Sequence, residues 1–222
     1  MMKRLLVIFF ILIILGILPI TAFAQQQSES NVQRTRVGNP ATTGEGLLGV
    51  GLVIKDAYDA CSSGDTHEPP ASLSCLQTQL SQSGLPQAQI DAFSSNYSTR
   101  KVGSPIGRGV SCIQCLGFVG LVVSTYTEAD SLRYPNPKAM SGLGSFSSGG
   151  KTFQQLARGT TPEPGDIGVH GGGTDGHIVI VKESVGNVRF KALESNGNSD
   201  CRITDTRDIL IDQYGYTFFR EQ

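Results

Sequence analysis

The sequence predicts an α+β domain in which helices come first and an antiparallel sheet follows. Between residues 47 and 126 the apolar residues recur at helical spacing. After Pro162 the period shortens to two, with tight glycine turns between the runs. No internal repeat interrupts this order, so neither a solenoid nor an array is expected.

The chain opens with a short basic start, Lys3 and Arg4, and an apolar run from Leu5 to Leu18. Pro19 breaks that run, and Ala22-Phe23-Ala24 has the small-x-small form of a signal-peptidase site. The run is shorter than the ~20 residues a spanning helix needs. Residues 1–24 are therefore expected to be a cleaved export signal, giving a product that is secreted, bound to the cell envelope or periplasmic. An uncleaved signal would leave an N-terminal membrane anchor; after cleavage no stable membrane insertion is expected. Removing residues 1–24 from the 222 leaves 198, enough for one domain with a real core. Without Lys3 and Arg4 the 18 basic residues become 16 against 19 acidic ones, a net charge of −3. There is no basic block and no aromatic–basic interleaving, so nucleic acid is not an expected partner.

Residues 25–46 are polar and rich in Gln, Ser and Thr, which predicts a disordered leader. From Leu47 to Cys61 the spacing of Leu47, Leu48, Val50, Val53, Ile54, Ala57 and Tyr58 predicts a helix packed on a core. "SSGDTHEPP" reads as a loop. Leu73, Leu76 and Leu80 mark a second helix ending at Gly84, and Pro86 sits early in a third, short one carrying Ile90 and Phe93. Residues 47–100 thus form a helical N-terminal segment, and 101–222 the remainder of the domain. Ser111-x-x-Gln114 resembles a capping box, which places a helix N-terminus near the cysteines. That helix should run to about Tyr126 with Leu116, Val119, Val122 and Val123 inward, while Gly117 and Gly120 let another backbone approach. "PNPKAMSGLGSFSSGGK" reads as a long surface loop. "GDIGVHGG", "HIVIVKE", "NVRFKALESN" and "YTFFRE" read as strands.

Chemistry concentrates at "CIQC", residues 112–115. Two cysteines at this spacing suit a redox pair, half a metal site, or one nucleophile beside one structural cysteine. Period-two alternation puts Val188, Phe190 and Ala192 on one face, continuing to Glu194 and Asn196, and puts His177 with Val179 and Val181. A core-facing row that ends in a carboxylate and an amide must satisfy those groups. A thiol at a helix N-terminus near an imidazole is activated as a nucleophile, and the imidazole needs a third group to orient it. His170, in the glycine loop, and His67, beside paired prolines, are read as surface residues. Asp166, after Pro164-Gly165, is read as a turn or strand-start residue. Three histidines, no H-E-x-x-H and no second C-x-x-C give no expectation of a zinc site.

Taken together, "QCLGFVG", "PGDIGVHGGGTDGHIVIV" and "ALESN" resemble the CHAP domains, the cysteine, histidine-dependent amidohydrolases/peptidases, over roughly residues 105–222. The separations resemble the family's as well: 62 residues from Cys115 to His177, 17 on to Glu194 and two more to Asn196. The resemblance implies a papain-like fold with the cysteine helix packed on an antiparallel sheet. It implies Cys115 as nucleophile, His177 as general base and then acid, and Glu194 orienting the imidazole. Asn196 would assist the imidazole or polarise the site. Gln114 becomes a candidate oxyanion donor beside the Cys115 N–H, with a helix-cap role as its alternative. Together with the export signal, the resemblance implies a hydrolase of amide bonds in bacterial peptidoglycan, acting on its peptide stems without metal or organic cofactor. Two alternatives stand beside it: a secreted thiol oxidoreductase using Cys112 and Cys115, and a wall-binding module without turnover.

Five cysteines in an exported chain predict disulfides and leave at least one thiol over. With Cys115 reduced, Cys61, Cys75, Cys112 and Cys201 remain, which allow three pairings. Cys61 and Cys75 flank the "SSGDTHEPP" loop at a separation of 14, and a bridge there is expected. The Cys112–Cys201 pair is what the family fold implies.

Overall fold

The computed structural model describes residues 46–62, 71–99, 114–129, 136–197 and 202–222. Helix α1 (Gly46–Cys61) is followed by α2 (Leu73–Gln82) and α3 (Gln87–Thr99). Ser72 caps α2 by accepting from the Cys75 N–H, which satisfies one of the amides that a helix start leaves open. Pro86 stands immediately before α3, which is longer than its apolar pair suggested. The expected Cys61–Cys75 bridge is present, with Cα atoms 5.8 Å apart, and ties the end of α1 to the first turn of α2.

Helix α4 (Cys115–Thr127) is the central element. Phe118, Val119, Leu121, Val122 and Val123 are all buried, so α4 is enclosed on most sides rather than along one stripe. Leu116 is only half-buried. The close approach expected at its glycines does not occur at Gly117, where an added Cβ would meet open space. A close approach does occur at Gly51 in α1, where a Cβ would lie 2.7 Å from Leu193 Cδ2 and 3.4 Å from Val122 Cγ1.

The segment expected to be a surface loop contains a one-turn helix α5 (Pro137–Met140), capped by Asn136, and a hairpin of β1 (Ser145–Ser148) and β2 (Lys151–Gln155). Gly149 and Gly150 have φ of +55° and +79°, which suits the two-residue turn whose twist matches a hairpin. Phe146 and Phe153 stack across it at 4.8 Å, and both are buried. These short serine-rich pieces read as loop in the sequence because a single buried aromatic in each does not make an alternation.

The remaining strands are β3 (Ile167–His170), β4 (His177–Val185), β5 (Arg189–Ser195), β6 (Ile203–Leu210) and β7 (Thr217–Glu221), with the turn α6 (Ile211–Tyr214) before β7. They form one antiparallel seven-stranded sheet in the order β1-β2-β7-β3-β4-β5-β6. One face carries Ile167, Val169, Ile178, Ile180, Leu193 and Phe219 into a core shared with α1–α4. The opposite face carries a smaller cluster of Val179, Val181, Phe190, Ala192, Ile209 and Phe218. The helices of residues 46–99 and the sheet therefore share one interior and are not separable layers. The α+β class with helices preceding an antiparallel sheet holds. Among the described residues no helix is long and apolar enough to cross a membrane. The expected export signal, the expected leader up to residue 45, His67, Ser111, Cys112 and Cys201, and with them the expected Cys112–Cys201 pairing, lie outside the described residues.

Candidate active site

Cys115 is the first residue of α4, and its thiol is free. Gln114 is the N-cap, in extended conformation, and makes no side-chain cap bond. This corrects the capping-box reading, in which Gln114 would be the third helical residue. The helix starts one residue after Gln114, so the thiol sits where the first amides of α4 point out of the helix. The Gln114 backbone oxygen accepts the first ladder bond, from Phe118 N–H at 2.9 Å.

His177 opens β4, and its hydrogen-bonding partners define the line of the site. Its Nε2 donates to Glu194 Oε2 at 2.5 Å, and Cys115 lies close enough to the ring to act on its charge. With Nε2 taken by the carboxylate, Nδ1 is the ring nitrogen left to serve the thiol. Burial of the ring favours its neutral form, but Cys115 and Glu194 outweigh it and hold the pKa up at about 9.

Glu194 is fully buried, at 0% exposure. A carboxylate there needs partners, since an uncompensated buried charge costs several kcal/mol. His177 is one. The second is Arg207 on β6, which sequence reading missed: its Nη1 donates to Glu194 Oε1 at 3.1 Å and to the Gly197 carbonyl at 2.9 Å. Burial works against the Arg207 charge, yet Glu194 raises its pKa above the ordinary value. Gly197 makes room for this pair. A Cβ there would stand 2.3 Å from Glu194 Oε1 and 2.5 Å from Arg207 Nη1.

The expected face of β5 is right for Phe190, Ala192 and Glu194, but it does not extend in either direction. Val188 lies outside the strand at 57% exposure. Asn196 follows the strand end with φ of +57°, a left-handed conformation that asparagine tolerates better than most residues. Its side chain thus leaves the row, and Nδ2 donates to Gln114 Oε1 at 2.8 Å. With its oxygen engaged, Gln114 has Nε2 as its donor end. The structure thus brings all five predicted residues, Gln114, Cys115, His177, Glu194 and Asn196, to one place, in two linked groups.

Two further readings change or sharpen. His170 is not a loop surface residue; it ends β3, half-buried, and pairs across the ladder with His177. Asp166, read as a turn or strand-start residue, is 2% exposed and structural: it accepts from the Glu163 N–H and from Arg220 through both carboxylate oxygens.

Neither the protein-family models nor the curated proteins compared with this chain give a match.

Proposed function

We propose that this protein is an exported cysteine hydrolase of the CHAP type, with a papain-like fold, that cleaves amide bonds in bacterial peptidoglycan. The observation that carries the reading is the line from Cys115 at a helix start, through His177, to the buried carboxylate of Glu194. A thiol, an imidazole and an orienting acid in this order suit acyl transfer. The peptide-bearing wall polymer as substrate rests on the sequence resemblance and the export signal.

In this reading His177 takes the proton of the thiol as the Cys115 sulfur attacks the amide carbonyl. The carbonyl oxygen takes up negative charge and is stabilised by the Cys115 N–H and Gln114 Nε2. The C–N bond breaks as His177 delivers its proton to the leaving amine. Water, deprotonated by His177, then attacks the thioester, releasing the acid and returning the proton to the sulfur. Arg207 holds the Glu194 carboxylate in place for orienting work, and Asn196 fixes the Gln114 amide.

The oxidoreductase alternative fits the fold poorly. A thioredoxin-like site belongs between alternating strands and helices, whereas here helices precede a wholly antiparallel sheet among the described residues. A zymogram on purified wall material, wild type beside Cys115→Ala, tests the proposal. Clearing by the wild type alone is the expected result, and equal clearing by Cys115→Ala overturns it. A metal chelator should leave the clearing intact and iodoacetamide should abolish it.

A further inference from the structure

His170 and His177 are cross-strand partners with ring centroids 5.9 Å apart. His170 also meets Tyr216 edge-on at 4.9 Å and Tyr214 at 5.8 Å. The two tyrosines flank Gly215, whose φ of +63° ends α6 and turns the chain into β7. Their rings are 6.4 Å apart. Tyr214 is the outer one, 42% exposed, while Tyr216 rests edge-on against the buried Phe190 at 5.3 Å. The cluster stands beside the reactive pair, close enough that Cys115 and Glu194 act electrostatically on the Tyr216 hydroxyl.

The hydrogen-bonding character of this wall is fixed. Gly172 N–H donates to His170 Nδ1 at 3.1 Å, which puts the ring proton on Nε2. Burial, His177 and Arg207 lower the His170 pKa, so this ring stays neutral beside a charged His177. Burial raises the Tyr216 pKa, so its phenol stays protonated. Arg207, the nearby guanidinium, is committed to Glu194 and the Gly197 carbonyl. The wall therefore offers ring faces together with N–H and O–H groups, all on neutral side chains.

A wall of this kind suits a neutral ring with an apolar face and an oxygen-rich rim better than a peptide bearing carboxylates, which would seek cations. We infer that His170, Tyr214 and Tyr216 form a saccharide subsite next to Cys115, so that the bond cleaved is the amide joining the peptide to the sugar's lactyl group. The inference rests on the hydrolase reading above and narrows it to an amidase, in preference to a crosslink endopeptidase.

Binding can be read without turnover. The Cys115→Ala chain is titrated by calorimetry with a muramyl-type sugar-peptide and with the same peptide lacking the sugar. The sugar-peptide should bind at least tenfold more tightly, Tyr214→Ala in that background should erase the difference, and Tyr214→Phe, which keeps the ring, should retain it. Equal affinities, absence of binding to either, or a preference that survives Tyr214→Ala would each overturn the subsite. Wild-type hydrolysis is scored separately. A sugar preference without turnover would leave the subsite standing and remove the hydrolase reading, and turnover without the preference would do the reverse.

Discussion

Glu194 is held by two cationic groups, and substitution separates what each does. Glu194→Gln keeps the shape but weakens the hold on the imidazole, so kcat should fall while measurable turnover persists, read as initial rates on soluble wall fragments. Arg207→Ala leaves the buried carboxylate with His177 alone; the expected cost is on the order of 3 kcal/mol of stability, read by urea unfolding. The raised His177 pKa sets the pH response. The proton used on the leaving amine is present below about 9, so the rate should decline as pH rises through that value. In Glu194→Gln one of the groups that raises this pKa loses its charge, and the alkaline limb should move to lower pH. Because the folded value exceeds the ordinary 6.5, the stabilisation from protonated His177 is complete below pH 6.5 and is lost as pH climbs through about 9. Gln114→Ala should lower kcat by about 10²–10³ if its amide serves the oxyanion.

Among the elements, two close approaches hold the site in register. Gly197→Ala forces a methyl group onto the Glu194–Arg207 contact, and displacing the carboxylate by about 1 Å should cost up to ~10²-fold in kcat with circular dichroism unchanged. Gly51→Ala presses α1 against Leu193 and Val122, an overpacking worth about 1–3 kcal/mol, so its effect should be on melting temperature and leave the pH profile alone. Neither consequence is readable from sequence, because each depends on which strand or helix lies opposite a glycine. The same limit explains Arg207. Strand β6, "ITDTRDIL", has only Ile203 and Ile209 buried as an edge strand, so its alternation is too thin to mark it and its arginine had no context. His177 and Glu194, by contrast, sit in strands whose apolar alternation is strong, and their facing could be read directly. The alternation ended one residue early, at Asn196, because a left-handed residue abolishes the period of two.

For the whole molecule, the helices before residue 100 and the sheet share one core, so damage to α1 or α2 should reach global stability without touching the chemistry. Replacing Cys61 and Cys75 together by alanine removes a cross-link whose loop-entropy contribution is ~3 kcal/mol. A lower melting temperature with unchanged kcat is the expected outcome. In the native protein iodoacetamide should label Cys115, and peptide mapping without reduction should recover Cys61 joined to Cys75 and Cys112 joined to Cys201. A dominant Cys112–Cys115 bridge would remove the nucleophile. The helix order and the antiparallel class were legible from period alone, since they depend on local pattern; strand order was not, because pairing joins residues far apart in the chain.

That strand order has a consequence for biosynthesis. β7 is made after the other six strands, yet it lies between β2 and β3. Until Thr217–Glu221 emerges, the β1–β2 hairpin has no neighbour and β3 offers an open edge. Tyr216, which backs the wall beside Cys115, arrives with the same segment. A nascent chain can therefore form its helices early but cannot close its sheet until β7 has been made. A chain still on the ribosome therefore carries Cys115 before Tyr216 has joined it, and on the proposed hydrolase reading its site is finished only once that segment is in place.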